Sequence, residues 1–217
     1  MDGAVLIALA GALGLAWGYA SDRIAARWPA HEDGSVRPRD WRTVLVVLLG
    51  GAAFGATLAR FGTHPDQLLF VGVYVVALIL LFATDLDQKL LPDVITLPLI
   101  ALALVAFAVG VGPYVRTGEE LAWAAAAAIG VPVALYLLAI PFGAGAIGQG
   151  DLKLLVSVGL LAGAIKLFSG LVVGAVLAGV LVGILVFIRR LSMKSFVPYG
   201  PFLIVGALWA ILALPGP

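Results

Sequence analysis

Apolar stretches about twenty residues long, parted by short polar breaks, recur along the whole chain, and that is the length a helix needs to cross the hydrocarbon core of a bilayer. Eight are predicted, at residues 3–20, 43–61, 68–84, 94–112, 121–142, 152–168, 170–188 and 200–214. The expected fold class is therefore all-α: a polytopic membrane protein with about eight transmembrane helices, forming one helical domain over residues 1–217. The sixth and eighth stretches are short, and the sixth carries Lys153 and Lys166 near its ends, where long stems can snorkel to headgroups. The one long polar segment, residues 21–42, contains Pro29, Gly34 and Pro38 and is too short to bury a core of its own.

Charge turns this pattern into a topology. Asp2 precedes the first apolar stretch and Arg23 and Arg27 follow it, the order of a retained span with its N-terminus outside, not of a cleaved signal. With that orientation the inner segments hold ten of the thirteen Lys and Arg residues, including Arg37, Arg39, Arg42 and Lys89, and the outer segments hold Arg60, Arg116 and Lys166. An even number of spans then places the C-terminus outside as well. The arginines of 21–42 are read as topology signals and contacts for anionic lipid.

Composition narrows the chemistry. Hydrophobic residues make up 63% of the chain against roughly half in soluble domains. The net charge of +1 gives no electrostatic case for nucleic acid. With no cysteine and only His31 and His64 as imidazoles, thiol catalysis, disulfides and thiolate metal sites are excluded, and a histidine metal site or Ser-His triad is disfavoured. No cofactor and no metal are expected. The 27 glycines suit helices that approach closely in lipid, and Pro132 and Pro141 are expected to kink the fifth span.

Carboxylates are then the groups left to do chemistry. Asp85, Asp87 and Asp93 cluster with Lys89 directly after the third stretch, and Asp151 closes Gly148-Gln149-Gly150-Asp151 directly before the sixth; both segments fall on the predicted inner face. An Asp just before a helix is ordinarily an N-cap, and Asp87 and Asp93 read most simply as solvated loop charges. Asp85, however, follows Phe82-Ala83-Thr84 with no polar run and is expected to belong to the helix end. Gly148 and Gly150 remove side chains ahead of Asp151, so another helix can approach its carboxylate. Two carboxyls sharing a site cannot both ionise. One can serve as general base on water while its protonated partner polarises a peptide carbonyl and protonates the leaving amine.

The arrangement of Asp85, Pro92-Asp93 and Gly148-Gln149-Gly150-Asp151 resembles the type IV prepilin peptidases, membrane aspartyl proteases with a GxGD motif. Val197-Pro198-Tyr199-Gly200-Pro201-Phe202 is similar to that family's Pro-aromatic-Gly-Pro stretch before its last span. The resemblance covers about residues 68–214, with three motifs in the family's order. It implies a membrane aspartic endopeptidase that cuts type IV prepilins or pseudopilins after a glycine, at the cytoplasmic edge of the bacterial inner membrane or of an archaeal membrane. By position it makes Asp85 and Asp151 the catalytic pair, chosen over Asp87 by spacing to Pro92, with Gly148, Gly150, Asp87, Asp93, Lys89 and Lys153 supporting the site. Substrate, membrane lipid and pilus or secretion machinery are the implied partners.

Many bacterial relatives carry a larger cysteine-paired cytoplasmic domain between their first two spans and also methylate the product with S-adenosylmethionine. Residues 21–42 stand in that place here without a cysteine, so the resemblance reaches the peptidase and leaves the methyltransferase unassigned. Presenilin and signal peptide peptidase also have a GxGD motif, but their late Pro-Ala-Leu motif is not Val197-Pro198-Tyr199-Gly200. A small ion- or proton-coupled transporter using the inner-face aspartates is the alternative of another class; it predicts acidic or polar residues nearer mid-span than these spans hold. A non-catalytic assembly subunit gives no reason for two aspartate motifs at one depth.

Overall fold

A computed structural model describes residues 2–30, 34–143, 147–188 and 199–213. Among the described residues the chain is all-helical: α1 (Gly3–Ala25), α2 (Trp41–Phe61), α3 (Pro65–Gln88), α4 (Asp93–Ala108), α5 (Gly118–Ala139) with a short 3-10 turn at Ile140–Phe142, α6 (Gln149–Phe187) and α7 (Gly200–Leu212). Five of these, α1, α2, α3, α5 and α6, are long and apolar enough to cross a membrane, while α4 and α7 are shorter apolar helices. The outward faces carry large exposed apolar side chains such as Leu13, Leu69, Val94, Leu138 and Phe187. In a multi-pass membrane protein such side chains meet lipid rather than water.

The eight predicted stretches all fall on helices, with two shifts that matter. α3 runs on to Gln88, so Asp87 as well as Asp85 is helical and not a loop charge. Stretches six and seven are the two arms of α6, and the break falls at Gly163 rather than between residues 168 and 170. Gly163 has φ +82° and ψ 171°, a backbone region essentially reserved for glycine. The arms face each other. Leu154, Leu155 and Val158 of the first and Leu167, Gly170 and Leu171 of the second line one small cavity, whereas a straight helix would part Val158 and Leu171 by about 20 Å. Gly170, beside the predicted break, admits α7: a Cβ there would stand 2.8 Å from the Gly206 carbonyl oxygen.

Packing divides the bundle. α1 and α2 form a close hairpin, where a Cβ on Gly18 would lie 2.5 Å from the Val46 carbonyl oxygen, and this hairpin meets the remainder chiefly through α3. Trp17 fixes that contact by donating its indole N–H to the Val76 carbonyl at 3.0 Å. α6 packs against α4, α5 and α7, while α3 and α6 have no close backbone contact; α7 and α4 lie against both. Across that gap Tyr74 of α3 reaches Ser157 of α6 at 2.7 Å, both fully buried. Pro132 lies inside α5, and Pro141 falls in the 3-10 turn that ends it.

The free carbonyls at the C-terminal end of α7 are met by side chains. The Tyr114 hydroxyl donates to Ile211, Lys166 Nζ to Ala210 at 3.3 Å and an Arg60 N–H to Leu212 at 3.5 Å. Cations there also complement the helix dipole. Lys166 therefore does not snorkel as expected from its place in the sequence: it is 6% exposed, with its ammonium 4.2 Å from the Tyr114 ring centroid. The opposite end of α7, at Tyr199 and Gly200, is where the aspartates lie.

Candidate active site

Asp85 sits in the last turn of α3 and is 4% exposed, and among the described residues its Oδ2 has no hydrogen-bond partner. Leaving a buried carboxylate oxygen without a partner is costly. Gly200, the first residue of α7, lies directly against it. A Cβ built there would come within 2.5 Å of Asp85 Oδ2 and 2.8 Å of Oδ1, so no other residue type leaves room for the carboxylate.

Asp151 is brought to the same region by α6. It is the third residue of that helix, and the N-cap position is held by Gly148, not by Asp151 as the ordinary capping reading would have it. The carboxylate instead lies against the backbone of Gly148. A Cβ on Gly148 would lie 3.0 Å from Asp151 Oδ2. Gly150 has a different task. A Cβ there would meet Leu91 Cβ at 2.6 Å and the Leu91 carbonyl oxygen at 2.9 Å, so this glycine lets the start of α6 press on the backbone of the segment joining α3 to α4. The Asp151 carboxylate lies within electrostatic range of Asp85.

The other predicted residues sort by what they touch. Asp87 is not solvated: its side chain is 2% exposed and paired with Arg37 Nε at 2.5 Å and Arg42 Nη1 at 3.1 Å. Asp87 is thus neutralised by two guanidiniums, and no ion pair of that kind is found at Asp85 among the described residues. Lys89 caps α3 in the left-handed conformation, φ 54°, with its ammonium within electrostatic range of Asp85. Asp93 opens α4, 58% exposed at its side chain, and accepts from Lys153 Nζ at 2.6 and 2.7 Å. That pair ties the start of α4 to the start of α6, and Lys153 is thereby held at a carboxylate rather than left to headgroups.

Tyr199, N-terminal to α7 and outside the spanning helices, faces the site from the third motif. Burial holds its phenol above the ordinary tyrosine range and the nearby Asp151 carboxylate adds to this, so it stays a neutral hydroxyl. Sequence reasoning assigned no site role to Tyr199, Gly200, Leu91 or Arg37. The stretch Tyr199-Gly200-Pro201 immediately before an apolar span is the signal that points to the first two; Val197 and Pro198 of that motif lie outside the described residues, as do His31, Arg189, Arg190 and Lys194. Among the described residues no cluster of three or more His, Cys, Asp or Glu side chains could hold a metal ion.

Residues 72–188, which contain the end of α3 and the start of α6, match the type IV leader peptidase family. The chain belongs to that family. It is 33% identical over 165 residues to the prepilin leader peptidase/N-methyltransferase of Burkholderia pseudomallei strain 1026b, covering 76% of this chain and 52% of that protein. Proteins of the same name from Dickeya chrysanthemi and Pseudomonas putida are 33% and 31% identical over 186 and 168 residues, covering 81% and 77% of this chain and 62% and 57% of theirs. The chain thus spans little more than half the length of these curated relatives. No solved structure matches it. The family match contains Asp85, Asp87, Asp93, Gly148, Gly150 and Asp151 and stops short of α7, so the Gly200 contact with Asp85 is a feature of this fold and not of the matched region.

Proposed function

We propose that this protein is a membrane aspartic endopeptidase that removes the leader of type IV prepilin or pseudopilin substrates, with Asp85 and Asp151 as its catalytic carboxylates. The single observation that carries the reading is the meeting of the two at one end of the bundle, with an unpartnered oxygen of Asp85 buried against a glycine. Membership of the leader peptidase family and the names of the relatives support the substrate class.

In this mechanism the pair carries one proton between its two carboxyls, because two negative charges in one dry site repel. The ionised carboxyl takes a proton from water as that water attacks the scissile carbonyl carbon, and the protonated one hydrogen-bonds the carbonyl oxygen. The resulting tetrahedral species collapses as a carboxyl protonates the departing amine, which breaks the C–N bond and restores the shared proton. Gly148 keeps the side of the Asp151 carboxylate clear for the substrate backbone, Gly150 lets α6 pack on Leu91, and the neutral Tyr199 hydroxyl faces the same site.

Counting the two arms of α6 separately gives eight crossings, with both termini outside and α3, α6 and α7 placing their site ends toward the cytoplasm of the inner membrane. The excess of Lys and Arg on the inner segments supports that orientation. Membrane lipid and components of a pilus or secretion machinery are the partners that go with it. Asp85→Asn and Asp151→Asn should each abolish cleavage of a co-expressed prepilin reporter while leaving the protein inserted and stable. Full cleavage by either variant would sink the dyad.

A further inference from the structure

The polar segment between α1 and α2 does not simply lie on the membrane surface. Arg37, 10% exposed at its side chain, turns inward and joins three carboxylates: Asp22 of α1, which is fully buried, Asp40 at 2.6 Å and Asp87 of α3 at 2.5 Å. Burial alone would lower the pKa of this guanidinium, but the carboxylates of Asp22, Asp87 and Asp40 outweigh it and hold it above its ordinary value. Arg42 closes on Asp87 from the start of α2. The hairpin thus holds the last turn of α3 at two residues: Asp87, through the Arg37 and Arg42 guanidiniums, and Gln88, whose side-chain N–H donates to the Ala25 and Pro29 carbonyls at 3.3 and 2.7 Å.

Helix geometry says what that grip does. Asp85 and Asp87 are two residues apart on α3, so their side chains leave the axis about 200° from each other. Drawing Asp87 toward the hairpin rotates Asp85 to the opposite side, where Gly200 of α7 receives it. Among the described residues no hydrogen bond to Asp85 Oδ2 sets the direction of that carboxylate. We infer that Arg37 is a positioning residue for the aspartyl site: through Asp87 it fixes the rotation of the terminal turn of α3 and so aims the Asp85 carboxylate at α7 and Asp151.

This inference rests on the peptidase reading, and its test is chosen to separate the two. The chain has no cysteine, so a pair introduced as Asp85→Cys and Gly200→Cys reports the aim of position 85 by oxidative cross-linking without any cleavage step. In full-length protein in lipid nanodiscs the pair should cross-link readily with Arg37 present, and at least about threefold less once Arg37→Met or Asp87→Asn releases the grip. In a protein that keeps both aspartates, Arg37→Met should lower kcat on a leader-bearing prepilin peptide by about tenfold or more with little change in KM, because a misplaced group near 1 Å out of line costs rate rather than binding. Arg37→Lys, which keeps the charge, should recover part of both losses. If Arg37→Met fails to accumulate, Asp87→Asn and Arg37→Lys carry the same cross-linking comparison. Equal cross-linking with and without Arg37 overturns the inference whatever the kinetics. Failure of the unaltered protein to cut the peptide overturns the peptidase reading and leaves the cross-linking result to decide the role of Arg37.

Discussion

Gly200 begins α7 with its Cα so close to Asp85 that a methyl group there would stand 2.5 Å from the carboxylate Oδ2. The backbones on both sides are fixed, that of Asp85 by the last turn of α3 and that of Gly200 by the packing of α7 on α6, so the carboxylate is the part that must move. Gly200→Ala should therefore displace the carboxylate, lowering kcat on a prepilin peptide by about tenfold to a hundredfold while leaving substrate binding nearly unchanged. Steady-state kinetics on protein with an unaltered elution profile checks this. A variant with full kcat would mean that the contact does not hold Asp85.

A second glycine acts on the other carboxylate, through backbone rather than through the carboxylate itself. Any side chain at position 150 meets Leu91 at its Cβ and its carbonyl oxygen. Gly150→Ala should push the first turn of α6 away from the α3–α4 segment and reduce cleavage strongly. Leu91→Ala should not rescue it, because the Cβ and the carbonyl that cause the clash both remain. Rescue by Leu91→Ala would show that only the leucine branch matters.

Most helices were legible in the sequence because a membrane span is a simple object: a run of apolar residues of fixed length, ended by charge, Pro or Gly. Asp85, Asp151 and the glycines before Asp151 were legible too, as motif residues at span ends. What was not legible depends on which glycine or charge does which job. Gly163 and Gly170 look alike in sequence, but one breaks α6 and the other admits α7. Asp87 and Asp93 read alike as loop charges, and only packing tells that the first is clamped by Arg37 and Arg42 while the second shares a half-open bridge with Lys153. Lys166 reads as a headgroup anchor, yet the fold sends it inward to the end of α7.

The orientation has its own test, which the lack of native cysteine makes clean. Thr63, in the exposed turn between α2 and α3, and Arg39, exposed before α2, lie at opposite ends of α2. In intact cells a membrane-impermeant maleimide should label Thr63→Cys and leave Arg39→Cys unlabelled until the membrane is opened. The reverse pattern would turn the site toward the outside and end the cytoplasmic reading.

The bridge between Tyr74 and Ser157 spans the gap between α3 and α6, and its two partners should not cost the same to remove. Ser157 Oγ also lies 2.8 Å from the Leu154 carbonyl, to which it can donate, so in Tyr74→Phe the serine keeps a partner and nothing polar is left stranded. In Ser157→Ala the Tyr74 hydroxyl stays fully buried with its partner gone. Losing a hydrogen bond cleanly costs about 1 kcal/mol, while stranding a buried polar group costs roughly 1–3 kcal/mol. Ser157→Ala should accordingly lower the thermal midpoint in detergent more than Tyr74→Phe, and Ser157→Ala combined with Tyr74→Phe should recover part of the loss, because the stranded hydroxyl is then absent. A double variant less stable than Ser157→Ala alone would argue that the phenol finds another partner, and that the bridge contributes little to holding the two aspartate-bearing helices at their distance.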